Sequence, residues 1–235
     1  MNNKKLVILF FIVCLPFHSC KEASNEKSEK YVFQESMEDN FNEDTLQAQN
    51  QFNLELNIGD ESDRGAWQNP ELVIEKIGDL TGKVVADIGS GTGYFTFPIS
   101  RRADKVLAID IEQRYLDYIE DRKLELPIEQ ADVIETRLTV EDEPNLHADE
   151  VDAVLLVNVF YYLQDRNKYM TIVNNALKDN GKLVLVDFKP GDLPVGPTEN
   201  KVPQDSVVET LKFSGFKEIE VDEESLQYQY IITAK

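Results

Sequence analysis

From Trp67 onward the apolar positions of this chain switch repeatedly between two rhythms. Short apolar runs, "KVVADIG", "KVLAIDI", "VDAVLLVNV" and "GKLVLVDF", read as buried strands, and "IETRLTV" as a weaker one. Between them, "NPELVIEKIGDL", "YFTFPISRRA", "EQRYLDYIEDRKLEL" and "RNKYMTIVNNALKDNG" read as helices. Asn69 before Pro70 predicts a capped start, with Leu72, Val73, Ile77 and Leu80 at helical spacing. Pro98 is tolerable only near the first turn of its helix, and the helix beginning at Arg166 is predicted to close on Gly181. The tail adds a helix, "VVETLKFSGF", and two strands, "KEIEVDE" and "YQYIITAK". Alternating strands and helices predict an α/β fold with a parallel sheet covered on both faces. The last two strands are too close together for a crossover, so they are predicted to be antiparallel neighbours.

The front of the chain follows a different pattern. "MNNKKLVILFFIVCLPFHSC" sets Lys4 and Lys5 before an apolar run from Leu6 to Phe17 and ends on a small residue and Cys20. That is the three-part layout of a secretory signal. The run is shorter than the roughly 20 residues a membrane-spanning helix needs, which favours cleavage over an uncleaved anchor. "FHSC" resembles a loose lipobox, with Leu15 further from Cys20 than a strict one would place it. The resemblance implies a signal peptide over residues 1–19 and a lipidated Cys20 holding the protein to the membrane of a bacterial cell envelope. Cys14 and His18 would leave with the peptide, so no disulfide, zinc site or catalytic cysteine is expected in the mature chain. Residues 20–60 are polar and aperiodic and read as a solvated tether, although Phe33, Met37 and Phe41 could line a short helix. The folded domain is expected over 61–235.

Composition narrows the partners. Twenty-four Lys and Arg against 44 Asp and Glu leave a formal charge of −20, and the densest basic points, Arg101-Arg102 and "DRK" at 121–123, make no basic face. A polyanion is repelled by such a surface, so no nucleic-acid partner is expected. The 42% hydrophobic content suits one domain with a tail.

The candidate chemistry lies in the turn after the first strand, Asp87-Ile88-Gly89-Ser90-Gly91-Thr92-Gly93. Glycines let the backbone take positive φ and let a ligand approach without meeting a Cβ atom, and in such sheets ligands sit beyond the carboxyl ends of the strands. A dinucleotide fingerprint, G-x-G-x-x-G, wants its third glycine where this chain has Tyr94, which disfavours a nicotinamide-dependent oxidoreductase. Asp87 can accept from a turn amide or orient a cationic ligand. Asp110, 17 residues after the last glycine of the turn, ends the second strand where a carboxylate can take both hydroxyls of a ribose.

With these residues in place, the chain from Trp67 to Lys235 resembles a class I S-adenosylmethionine-dependent methyltransferase of small-molecule type. "VVADIGSGTGYF" is similar to that family's first motif, "VLAIDI" to its second and "VDAVLLVNVFYYL" to its fourth, while "NALKDNGKLVLVDF" is similar to its late helix and strand. Arg64, Trp67, Gln68 and Pro70 match an "R..WQ.P" pattern of one branch. The resemblance implies a Rossmann-like doubly wound sheet of seven strands, mainly parallel with an antiparallel C-terminal strand, and S-adenosyl-L-methionine as cofactor. It implies that Gly89, Ser90, Gly91 and Gly93 flank the methionine moiety with Asp87 near its ammonium. Asp110 would hold the ribose and Ile111 would pack on the adenine. Glu141 or Asp142, with Asp142 preferred, would meet the adenine amine, and Asn158 would line the methionine end.

Family members often carry His-His after the fourth strand, where this chain has Tyr161-Tyr162. Methyl transfer is an in-line displacement that positioning alone can promote, so the substitution leaves catalysis open and the catalytic base unassigned among Tyr161, Tyr162 and Asp187. His147, in the polar stretch "NLHADE", is read as a surface residue, and "DLPVGP" at 192–197 as either the border of an acceptor pocket or a rigid connector. Two functions follow. The first is methyl transfer to a small-molecule acceptor, and the second is a non-catalytic module that binds S-adenosylmethionine or S-adenosylhomocysteine on an exported, lipid-anchored protein.

Overall fold

The computed structural model describes residues 61–235. The signal, Cys14, His18, Cys20 and the tether lie outside the described residues. The chain enters through α1 (Glu61–Gln68) and α2 (Pro70–Ile77), then β1 (Val84–Ile88), α3 (Thr96–Ser100), β2 (Lys105–Asp110), α4 (Gln113–Lys123), α5 (Ile128–Ala131) and β3 (Ile134–Leu138). It continues through β4 (Val151–Val157), a 3-10 turn (Phe160–Tyr162), α6 (Arg166–Ala176), β5 (Leu177–Phe188), α7 (Gln204–Phe213), β6 (Ile219–Asp222) and β7 (Gln229–Ala234).

The seven strands lie in the order β3-β2-β1-β4-β5-β7-β6. All neighbouring pairs from β3 to β5 are parallel, and β7 runs antiparallel to both β5 and β6. This is the Rossmann-like doubly wound sheet that the sequence predicts. The direction of winding reverses between β1 and β4, so a crevice opens beyond their carboxyl ends, where ligands bind in folds of this type.

Alternation along the strands divides the core between the two faces. On one, Val73, Ile74 and Ile77 of α2 pack with Val85, Leu155, Val184 and Ile231. On the other, Tyr169, Met170 and Val173 of α6 and Val207 and Leu211 of α7 cover Ile109, Leu156, Leu185 and Ile232. Each such side chain, withdrawn from water, contributes about 1.5–3 kcal/mol. α2 starts as its sequence predicts, since the Asn69 side chain accepts from the Leu72 N–H at 3.3 Å and Pro70 occupies the first turn.

Several helices are shorter than predicted, α2 stopping at Ile77 short of Leu80 and α4 at Lys123. The one after the glycine turn is confined to Thr96–Ser100. The helix expected to close on Gly181 stops at Ala176, where Leu177 turns extended and enters β5. The pairing of β4 with β5 then jumps from Val151↔Leu177 to Ala153↔Lys182, leaving a bend between. Gly181 belongs to that bend, where a Cβ would lie 2.8 Å from the Lys178 carbonyl oxygen.

Both outer strands are short and charged. Glu135 on β3 pairs with Lys105 at 2.5 Å, and Arg137 reaches Glu150 at 2.7 Å. β6 carries Glu220 and Asp222, and Asp222 pairs with Lys76 at 2.7 Å.

Candidate functional site

β1 delivers the chain to the crevice and β2 fixes how it turns there. The N–H groups of Gly89 and Ser90 both donate to the Ile109 carbonyl, at 2.8 and 3.1 Å, and the Gly93 N–H donates to the Ser90 carbonyl at 2.9 Å. Gly89 and Gly91 need glycine for different reasons. At Gly89, φ is +72° and a Cβ would sit 2.3 Å from Cγ2 of Val159, so the turn is pressed against the segment that follows β4. At Gly91, φ is +51° and a Cβ would meet nothing within 4 Å, which leaves backbone facing open space.

Asp110 ties the turn to the second strand. Its Oδ2 accepts from the Gly91 N–H at 2.8 Å and its Oδ1 from the Glu112 N–H at 2.9 Å. A carboxylate offers about four lone-pair directions, so each oxygen keeps one for a ligand hydroxyl. Burial raises the Asp110 pKa against the pull of these amides. Ile111, next in sequence, is 50% exposed although it is a large apolar residue.

Asp87 stands behind the turn. It is 2% exposed, and its Oδ2 accepts from the Thr96 hydroxyl at 2.6 Å. Burial pushes its pKa up to about 6, with the Thr96 hydrogen bond and the Arg64 charge acting against that shift and the Asp110 charge adding to it. Ser90 is buried too, and its Oγ has no hydrogen-bond partner among the described residues. An orphaned hydroxyl, a bare stretch of backbone, a carboxylate with free lone pairs and an exposed apolar residue thus lie on the turn and at the adjoining end of β2. The set fits an adenosine ligand bearing a cationic amino-acid end.

Across the crevice, β4 ends in Asn158, whose φ is +59° and whose N–H donates to the Val186 carbonyl at 2.9 Å. The chain then folds into the 3-10 turn, with the rings of Tyr161 and Tyr162 4.0 Å apart. Tyr162 is 66% exposed, whereas Tyr161 is half-buried with its pKa raised first by burial, then by Tyr162. Asp187, at the end of β5, is fully buried. Its Oδ1 accepts from the Phe188 N–H at 2.7 Å, its Oδ2 has no hydrogen-bond partner within bonding distance among the described residues, and burial raises its pKa to about 7 against the pull of the Phe188 and Tyr161 backbone N–H groups.

The remaining candidates are spread more widely. Glu141 and Asp142 form the exposed tip of a tight turn closed by the Val140–Glu143 bridge. The carboxylate that lines the adjoining cavity of about 470 Å³, with Leu138, Val140 and Leu146, is Glu143, which pairs with Lys168 at 3.0 Å. His147 is exposed. The 192–197 loop packs through Gly196 onto the Phe188 ring, which also meets Trp67 at 5.8 Å between centroids.

Sequence reasoning missed Thr96 and Gln229. Thr96 carried a faint signal, a hydroxyl residue in the first turn after the glycines, but Gln229 carried none. Among the described residues no group of His, Cys, Asp and Glu could hold a metal ion, and no helix is long and apolar enough to cross a membrane.

Comparison with known proteins agrees with this geometry. A family model described as "Methyltransferase domain" matches residues 86–183. The tRNA U34 carboxymethyltransferase of Sulfurovum sp. (strain NBC37-1) is 28% identical over 156 residues, 61% of this chain and 50% of that protein. The chain thus spans about half the length of this curated relative. Among solved structures, a SAM-dependent methyltransferase from Aquifex aeolicus superposes with a TM-score of 0.67 at 23% identity, covering 76% of this chain and 94% of that one. A Haemonchus contortus phosphoethanolamine N-methyltransferase in complex with S-adenosyl-L-methionine gives 0.60 at 15% identity, covering 72% and 52%. Residues 86–183 are thus similar to a methyltransferase domain, and the crevice they build suits S-adenosylmethionine as cofactor.

Proposed function

We propose that this chain transfers a methyl group from S-adenosylmethionine to a small-molecule acceptor while tethered through a lipidated Cys20 to a bacterial cell envelope. The observation that carries the transfer is the pairing of Asp110 with the open backbone at Gly91, bonded to each other at 2.8 Å on one side of the crevice. Asp110 would take the ribose hydroxyls, Ile111 the adenine, and the Ser90 hydroxyl and turn amides the methionine portion, with Asp87 supporting the turn near the ammonium. The cofactor supplies a methyl group on a sulfonium, open to in-line displacement by a nucleophile of the acceptor. The protein's part is to hold the two in line and exclude water.

Trp67, Phe188, the 192–197 loop and the Tyr161–Tyr162 pair would border the acceptor. What supports a small acceptor is the charge of −20, which opposes a polyanion. The name of the curated relative favours a second reading, a tRNA acceptor. What supports the anchor is the layout of the first 20 residues. The test is incubation of the full-length protein with methyl-labelled S-adenosylmethionine and two acceptor pools, small metabolites and bulk tRNA. Label in the small-molecule fraction is the expected result, label in tRNA establishes the second reading, and label in neither overturns both. Fractionation of cells carrying Cys20→Ala tests the anchor, since the variant should leave the membrane fraction.

A further inference from the structure

A line of four side chains crosses the wall of the crevice. Arg64 Nε donates to Gln68 Oε1 at 2.6 Å, Gln68 Nε2 to Gln229 Oε1 at 2.9 Å, and Gln229 Nε2 to Asn158 Oδ1 at 2.6 Å. Both glutamines are fully buried, and they join α1, β7 and the end of β4 across sequence separations of 161 and 71 residues.

The line has a direction. Arginine has no acceptor, so it must face the Gln68 carbonyl. Gln68 then has only its amino group for Gln229, and Gln229 only its amino group for Asn158. Reversing any member would set two buried donors or two acceptors against each other, and each orphaned group costs about 1–3 kcal/mol. A solitary asparagine could turn over at little cost; Asn158 is held with its oxygen inward. Its amide N–H₂ makes no hydrogen bond among the described residues and belongs to a partly exposed side chain.

Asn158 lies where a donor of fixed orientation is useful. Val159 presses on Gly89, so Asn158 stands beside the glycine turn, across β1 from Asp110. A ligand whose ribose is read at the end of β2 brings its other end to the gap between β1 and β4. That end of the cofactor is a zwitterion. Asp87 supplies the negative pole, while Arg64 is near enough to lower the Asp87 pKa. A carboxylate needs donors, and the relay supplies one.

We propose that Gln68 and Gln229 are positioning residues: an amide relay anchored on Arg64 holds Asn158 with its N–H₂ group toward the carboxylate of the bound cofactor. This rests on the methyltransferase reading. Gln229→Glu replaces the donor with an acceptor and turns Asn158 over, whereas Gln229→Met, similar in volume and uncharged, releases it and serves if the glutamate variant does not fold.

The test is calorimetric titration of the full-length protein with S-adenosylhomocysteine and with 5′-methylthioadenosine, which shares the adenosine and thioether but lacks the amino-acid end. Both Gln229 variants should lose about tenfold in affinity for S-adenosylhomocysteine, the scale of one hydrogen bond to a charged group, and keep their affinity for 5′-methylthioadenosine. In an Asn158→Ala background the same substitutions should cost nothing further. Equal losses for both ligands, no loss for either, or full additivity with Asn158→Ala would overturn the relay. Wild-type protein that binds neither ligand would overturn the methyltransferase reading itself.

Discussion

The two banks of the crevice are built by opposite means. The β1–β2 bank is local, since Asp87, the glycine turn and Asp110 lie within 24 residues, the turn bonded to Asp110 and β2 through backbone amides and Asp87 to the Thr96 hydroxyl. The β4–β5 bank is gathered from Arg64, Trp67, Asn158, the tyrosine pair, Asp187, the 192–197 loop and Gln229. The first bank is tied together within itself, Gly91 to Asp110 and Thr96 to Asp87. The second offers partly exposed aromatic rings and a loop.

Substitutions should separate the banks. The largest effect is expected from Asp110→Ala, which removes ribose acceptors and releases the Gly91 and Glu112 amides; affinity for S-adenosylhomocysteine should fall about a hundredfold, as for several hydrogen bonds to one charged group. Next come two glycines in the same turn that should fail differently. Gly89→Ala collides with Val159 and should lower the melting temperature together with binding, whereas Gly91→Ala meets no protein atom and should weaken binding about tenfold with a smaller thermal change, the strain of positive φ being about 1–2 kcal/mol. Equal thermal shifts for the two would break the distinction. Tyr162→Ala, on the other bank, should leave cofactor affinity within about twofold, as expected of a surface side chain, and act on the acceptor's KM.

The smallest effect concerns pH. Asp187 binds its proton more tightly folded, near 7, than unfolded, near 3.8. Its contribution to stability is therefore complete below the unfolded value and is lost as pH rises through about 7. Asp187→Asn keeps a neutral group there, so the fall in melting temperature between about pH 5 and pH 8 should be shallower in the variant than in the wild type. Parallel curves would show that this carboxyl is not protonated in the folded protein.

The same contrast explains what could be read in the sequence. The glycines, Asp110 and the strand pattern are legible because each depends on neighbours a few residues away, through strand alternation or turn chemistry. The helix that ends at Ala176 looks longer in the sequence because "LKDNG" resembles a helix terminus, while pairing with β4 draws Leu177 into the sheet. Thr96 was passed over since its partner, Asp87, is nine residues away and buried. Gln229 left no trace, because a hydrogen bond over 161 residues imposes no period on the chain. Arg64 and Gln68 entered only through a family pattern, without a physical reason; their place in the relay supplies one.

The charged outer strands bear on how such molecules behave when crowded. A sheet is an unfinished polymer, with a row of idle backbone groups along each margin that another chain can copy. At the β3 margin a newcomer would have to strip water from the Lys105, Glu135 and Arg137 side chains, and at the β6 margin from Glu220 and Asp222. A second copy would also bring its own charge of −20 toward the same sign. Fibril-like growth is discouraged at both ends of the sheet; at the β6 end the residues responsible lie on the far side of the sheet order from β1 and β2, whereas Arg137 at the β3 end also holds the Asn145 carbonyl beside the cavity next to Asp110.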